Sequence, residues 1–412
     1  MKKVIRSLLI ILLIFIYIYV CKINNIPNET IIFQGEKLDF GNFFGLSLDL
    51  EDNQEKLIDV SSDLNKTVSS KNTEITAKVK LFDLFTIKDV NVSVIKKMSV
   101  VPVGQVGGLK LYTNGVLIVG LGEVVDENNE KIKPYETTGL KEGDTIIKVN
   151  EKNLIDTEDL LNLIKNSNGE VLNITYLRDG KEEKCSITPS KTGEKEYKIG
   201  LWVRDSAAGI GTLTFYDPET KTFAALGHGI TDIDTGDLID ISNGEFITTK
   251  ILSIIKGVKG KPGRIQGTIE NQKDIGKIYK NSKLGIYGKI DNFGDLNIKD
   301  FKEYEVADRN DIELGKAKII CSLDSESPKE YEIEIEKIYL KNNDNNKSMQ
   351  IKVKDEELLN KTGGIIQGMS GCPIIQNDKF IGCVTNVMID NPAIGYAVFS
   401  DLMIKEAQEI EK

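Results

Sequence analysis

The sequence predicts a mostly β protein, and three observations carry that prediction. Residues 191–412 break into short runs rich in β-branched residues, among them "GIGTLTFYD", "TFAALGHGI", "KLGIYGKI" and "YEIEIEKIYL", separated by Gly, Asn and Asp turns. Residues 23–97 alternate apolar and polar residues in "ETIIFQGEKLDF" and "TEITAKVKLFDLFTIKDVNVSVIKK". In the C-terminal part only "SDLMIKEAQEIEK" reads as a helix. Strands at this spacing form a sandwich or barrel, and residues 191–412 are enough for a double β-barrel with a sizeable core.

The whole chain has 412 residues, which predicts two or three domains. It is 40% hydrophobic and 28% charged, as ordinary soluble proteins are. A net charge of −10 argues against nucleic-acid binding, which needs a basic face. Residues 1–22 stand apart. Lys2, Lys3 and Arg6 precede an uncharged run from Leu8 to Cys21. The basic flank stays on the cytoplasmic side, so this segment is expected to send the rest of the chain outward. No small-x-small cleavage site follows it, and Cys21 has no small residues before it. The segment reads as an uncleaved signal anchor holding the protein to a membrane.

Residues 23–97 form a small β-rich module in which the polar stretch Glu51 to Lys71 reads as a loop. Residues 98–190 form a second unit. Gly104, Gly107 and Gly108 punctuate a loop, and "LKLYTNGVLIVG" reads as two strands about a turn at Asn114-Gly115. Thr145 to Val149 reads as a strand. Asp156 or Thr157 caps a helix whose apolar residues are Leu160, Leu161 and Ile164. A hairpin about Asp179-Gly180 closes the unit.

Through "GLKEGDTIIKVNEKNLIDTEDLLNLI" this unit resembles a PDZ domain of the bacterial protease type. The resemblance implies a peptide ligand bound by strand addition, with a glycine loop receiving its carboxylate. By position that loop is Gly107, Gly108 and Leu109. A PDZ fold used only as a spacer is the other reading.

Two short stretches carry chemistry. His228 is the chain's sole histidine, set between glycines at the end of an apolar run in "FAALGHGI". Ser370 lies in "IIQGMSGCPII", on a turn that is either an ordinary β-turn or the seat of a nucleophile. A serine hydroxyl needs a base, and imidazole both takes and returns a proton near neutral pH. The amides of Gly368 and Ser370 can point into one pocket and receive an oxyanion. For a third, acidic member Asp232, Asp234, Asp237 and Asp355 are open, the last as a helix cap instead. Five widely spaced cysteines without C-x-x-C, and one histidine, make neither a disulfide scaffold nor a metal site. No cofactor is expected.

"G-M-S-G-C-P" has the G-x-S-G-x-P shape of chymotrypsin-like proteases. Over residues 98–412 the chain resembles the stage IV sporulation protein B peptidases, through "GLWVRDSAAGIGTLTFYDPETKTFAALGHGI" and "KTGGIIQGMSGCPIIQNDKFIGCVTNV". That resemblance implies a chymotrypsin-like serine endopeptidase with His228, Ser370 and Asp355 as its triad. It further implies self-cleavage, a membrane-bound sporulation regulator as substrate, activation of a late mother-cell sigma factor, and a place on the outer face of the forespore membrane. The family carries serine where this chain has Cys372. That thiol is open as a core residue, half of a bond with Cys383, or a substitute nucleophile. A catalytically silent PDZ scaffold is the rival reading from another class.

Overall fold

Two long antiparallel strands, Ser99–Leu121 and Leu201–Tyr216, organise the molecule. The computed structural model describes residues 2–39, 45–51, 65–67, 73–194, 196–268, 274–293, 301–324, 327–340 and 346–410. The pairing of the long strands begins a closed six-stranded barrel. From Leu201–Tyr216 the ladder passes to Thr222–Ala225, Gly285–Ile290, Asp274–Ser282 and Ile241–Ile247. It then returns to Ser99–Leu121. Leu109, Leu111, Leu213, Phe246 and Ile278 fill the interior. Within this ring each of the six strands pairs with a neighbour on both sides, so the ring closes on itself.

A second six-stranded barrel follows. Its ladder runs Gly315–Cys321, Lys329–Ile338, Met349–Val353, Ile394–Phe399, Lys379–Val387 and Pro373–Gln376, then back to Gly315–Cys321. Lys329–Ile338 shows why these residues make strands. Tyr331, Ile333 and Ile335 are buried while Glu330 and Glu332 between them face water, the period of two that a one-sided strand needs. Between the barrels Phe215 meets Phe380 edge-on, with ring centroids 5.6 Å apart. Met403 and Ile404 of the C-terminal helix Ser400–Glu409 seal the same cluster. The chain therefore has the double β-barrel expected of the chymotrypsin-like class.

The PDZ unit is inserted between the long strands. The far half of Ser99–Leu121 pairs with Thr145–Val149, which pairs with Leu172–Arg178, which turns at Asp179-Gly180 into Lys181–Ile187. Both turn residues have positive φ, 50° and 73°. Asp156 caps the helix Thr157–Asn166, accepting from the Asp159 amide at 2.9 Å. Leu160 and Ile164 face the core with Val116, Ile146 and Ile174, while Leu161 is exposed. Asn114-Gly115 differs from expectation. It makes no hairpin, because the strand runs on through it, with Gly115 at a φ of +110°, while its pairing partners change from the first barrel to the PDZ unit.

The N-terminal module is a four-stranded sheet in the order Glu29–Phe33, Phe85–Ile95, Thr73–Leu81, Leu46–Glu51. Most of the stretch read as a polar loop lies outside the described residues, though Asn65–Thr67 pairs with Lys37–Asp39. Before the sheet comes the helix Lys2–Asn25. Its span Ile5–Asn24 is, among the described residues, the one helix long and apolar enough to cross a membrane.

One buried ion pair fixes the PDZ unit. Asp144 is 1% exposed, and Arg178 meets both its oxygens, Nε at 2.7 Å and Nη2 at 2.6 Å. Removing one partner of such a pair strands the other charge. Arg178→Met is expected to destabilise this unit by about 3 kcal/mol. Urea unfolding followed by the fluorescence of Trp202, the chain's sole tryptophan, measures it. A midpoint equal to wild type counts against the assignment.

Candidate active site

The serine turn sits at the entry to the second barrel and is held by the first. After the helix Glu356–Thr362 the chain runs through buried Ile365 and Ile366 to Gly368, whose φ of +101° favours glycine. The turn's amides divide into two sets. Those of Ile365, Gln367, Met369, Gly371 and Cys372 donate to backbone carbonyls. Those of Gly368 and Ser370, and of Ile366 before them, have no protein acceptor among the described residues. Two unclaimed donors flanking one residue are what an oxyanion site needs.

Thr212, on the Leu201–Tyr216 strand, grips this turn at both ends. Its hydroxyl donates to the Gly368 carbonyl at 2.7 Å and its amide to the Ser370 carbonyl at 3.1 Å. The approach is close enough that a Cβ on Gly371 would stand 2.3 Å from the Thr212 carbonyl oxygen. Nothing in "GIGTLTF" announced this role for Thr212. The backbone pairing of the two barrels creates it.

His228 arrives from the other side. The strand Thr222–Ala225 ends, and Leu226 and Gly227 both take left-handed φ, 73° and 69°. This turn presses Gly227 against the second barrel, where a Cβ would meet the Cys383 sulfur at 2.4 Å and the Thr385 methyl at 3.1 Å. Ser370 reaches the same residue, its hydroxyl donating to the Thr385 carbonyl at 2.8 Å. Gly227, the neighbour of His228, and Ser370 thus both approach Thr385 of the second barrel. The side chains of His228 and Ser370 are not hydrogen-bonded to each other here. Catalytic bonds are commonly loose before substrate binds.

The ring's tautomer follows from its partner. Nδ1 lies 2.9 Å from the Gly229 carbonyl oxygen, which can only accept. Nδ1 therefore carries the proton, and a neutral ring keeps its Nε2 lone pair available as a base. Burial pushes the imidazole below its ordinary pKa, and the Gly229 carbonyl offsets part of that shift.

The acids fall elsewhere. Asp355 does not meet His228. It caps the helix Glu356–Thr362, accepting from the Leu358 amide at 2.9 Å, because the chain enters that helix directly after a strand end. The Gly229 carbonyl holds the nitrogen that an acid would otherwise hold. Asp232, Asp234 and Asp237 belong to the loop beyond His228, where Asp232 accepts from the amides of Asp234 and Thr235. Cys372 is fully buried beside the Thr212 hydroxyl at 3.7 Å, and all five cysteines are free. It is a core residue, neither bonded to Cys383 nor exposed as a nucleophile.

Gly107, Gly108 and Leu109 require a correction. They form no loop and lie in the first barrel, with Leu109 1% exposed. Gly107 pairs with Gly211, and Gly108 and Leu109 are paired on both edges, with Ile210 and Gly209 and with Ile247 and Phe246. The glycine at 107 answers to packing: a Cβ there would meet the Phe246 ring at 2.4 Å. An edge suited to a peptide lies elsewhere. Leu201–Arg204 pairs with the Leu117–Leu121 side of its neighbour on one edge only. The other edge faces the helix Thr157–Asn166, whose first amide donates to Asp205 at 2.8 Å. Among the described residues no strand covers it.

Residues 195–404 match the SpoIVB peptidase S55 family, and residues 109–188 match the PDZ domain. The chain is 32% identical over 127 residues to a putative zinc metalloprotease of Lactococcus lactis subsp. lactis, covering 31% of this chain and 26% of that protein. It is 29% identical over 99 residues to the probable protease eep of Enterococcus faecalis, covering 23% of each. The chain thus spans about a quarter of the length of these curated relatives. Among solved structures, the PDZ domain of an SdrC-like protein from Listeria monocytogenes is 17% identical. It covers 22% of this chain and 87% of that one, at a TM-score of 0.18. No group of three or more His, Cys, Asp or Glu placed to hold a metal occurs among the described residues.

Two outcomes follow from the geometry. Thr212→Val keeps the shape and deletes the bond to Gly368. Stability should fall by about 1–3 kcal/mol and kcat by about ten- to a hundredfold, with KM little changed; full activity in steady-state assays would contradict the grip. The second concerns pH. The folded imidazole sits below its unfolded value of about 6.5, so its contribution to stability is complete above that value and is lost as pH falls through the folded one. The acidic limb of kcat/KM should accordingly lie below pH about 6.5. The single histidine ring signal in NMR titrates the same group directly, and a midpoint above the ordinary value rejects the burial argument.

Proposed function

The chain is a member of the SpoIVB peptidase S55 family, and we propose that it hydrolyses peptide bonds with Ser370 as nucleophile and His228 as its base. The observation that carries this reading is the pair of unclaimed amides, Gly368 and Ser370, at the seat of a serine hydroxyl on a turn gripped by the first barrel's Thr212. Ser370 Oγ attacks the peptide carbonyl as Nε2 of His228 takes its proton. The carbonyl oxygen, now negative, receives the two amides. Collapse breaks the C–N bond, His228 returns the proton to the leaving amine, and an acyl-enzyme remains. Water, deprotonated by the same nitrogen, releases the acid and regenerates the hydroxyl. The Gly229 carbonyl holds the ring's orientation through Nδ1–H.

The PDZ unit adds a peptide-binding edge. A strand-like segment of a substrate or of a second protein adds along Leu201–Arg204, opposite the helix Thr157–Asn166. The amphipathic character of that helix and the exposed Trp202 beside the edge support this placement. On the family resemblance, the protein substrates include the chain itself and a membrane-associated regulator of sporulation, cut on the outer face of the forespore membrane so that a late mother-cell sigma factor is activated. The apolar helix at the N-terminus supports residence at a membrane.

A silent scaffold is the second reading, favoured by one observation: the Ser370 hydroxyl is bonded to Thr385 and not to His228. A fluorophosphonate probe separates the two. Wild type should be labelled, Ser370→Ala should not, and peptide cleavage should fall by about 10⁴-fold or more in the variant. Well-folded wild type that takes no label and cuts neither itself nor a casein substrate overturns the proteolytic reading.

A further inference from the structure

Arg204 lies within the stretch matched to the S55 family, on the part of the Leu201–Tyr216 strand whose Leu201 and Val203 pack against the PDZ core, and it pairs opposite Leu117. Its guanidinium enters the loop following His228. Nη1 meets the Asp232 carboxylate, and Nη2 meets Asp234 Oδ2 at 2.9 Å. Asp232 is 2% exposed, and its other oxygen is already taken by two loop amides. The loop closes on itself through Asp232 N to Asp237 O and Ile239 N to Ile230 O. Asn281, from the first barrel, ties its neck with bonds to Ile230 and Ile239. The loop is therefore fixed at two points, by Asn281 at its base and by Arg204 from the PDZ side.

His228 immediately precedes this loop, and the carbonyl that holds its Nδ1 is Gly229, the residue before Ile230. Further along Arg204's own strand is Thr212, which grips the serine turn. A single stretch of backbone thus carries one fixing point for each half of the catalytic pair. Without Arg204, a buried carboxylate has no cation. The loop then gains by opening to hydrate it, and Gly229 lies one residue before the neck about which it opens.

We infer that Arg204 is a positioning residue for His228, and that through it the PDZ unit is a working part of the proteolytic site. The inference rests on the serine-protease reading above. It is tested in the full chain with Arg204→Met, Arg204→Lys and Asp234→Asn, the last removing only the exposed arm of the clamp. Folding is checked by thermal unfolding. The readouts are the fluorophosphonate reaction rate, kcat and KM on a short peptide, and the NMR signal of the sole histidine ring. Arg204→Met should react at least tenfold more slowly, lose kcat while KM holds, and shift or broaden the ring signal. Arg204→Lys should recover part of the rate, and Asp234→Asn should fall between. If Arg204→Met does not fold, the other two variants decide by the same readouts. A folded Arg204→Met with wild-type rate and an unmoved ring signal overturns the inference, as does an equal kcat in Asp234→Asn and Arg204→Lys with unmoved signals. A wild type that takes no label defeats the proteolytic reading instead, and the ring signal alone then decides whether Arg204 places His228.

Discussion

The pairing of Ser99–Leu121 with Leu201–Tyr216 is the constraint on which the rest of the structure depends. It closes the first barrel at one end and anchors the PDZ unit at the other. It also brings Thr212 to the serine turn, so the first barrel positions a residue that belongs to the second. Backbone hydrogen bonds define these placements more sharply than side-chain packing could, because a one-residue slip would turn every side chain to the opposite face.

The fold was legible where period and turn chemistry were strong. "YEIEIEKIYL" alternates, and its strand alternates in burial. Asp179-Gly180 is a hairpin turn because both positions need positive φ. "IIQGMSGCPII" pointed to Ser370 because glycines on each side leave room for a close approach, and Gly371 does lie against Thr212. His228 stood out by being alone. What was not legible depends on pairing partners far away in the chain. Gly107 and Gly108 looked like a loop because glycine marks loops, yet here they admit the Phe246 ring and a neighbouring strand. Asp355 could be read as an acid or a cap, and its helix decided for the cap. The acids of "DIDTGD" gave no hint that an arginine of the strand packed on the PDZ core would bind them.

The polar atoms at the site are shared out with little surplus. The serine hydroxyl, the ring's Nδ1 and most amides of the turn each have a partner, while the Gly368 and Ser370 amides remain unclaimed. A group left unpaired in a folded protein carries a cost. On the proposed reading a substrate carbonyl takes these amides most strongly when its oxygen is most negative, and differential binding of that kind is the substance of catalysis.

The insertion of the PDZ unit between two barrel strands has a consequence for how the chain acquires its structure. During synthesis Ser99–Leu121 emerges well before its partner, and the first barrel cannot close until the intervening unit has left the ribosome. That unit draws most of its core from residues between Val116 and Ile199, so its contacts are local, and local contacts form early. A completed PDZ unit then holds the two strand ends together, shortening the loop that barrel closure must pay for in entropy. The inserted unit thereby lowers the entropic cost at which its neighbouring barrel closes.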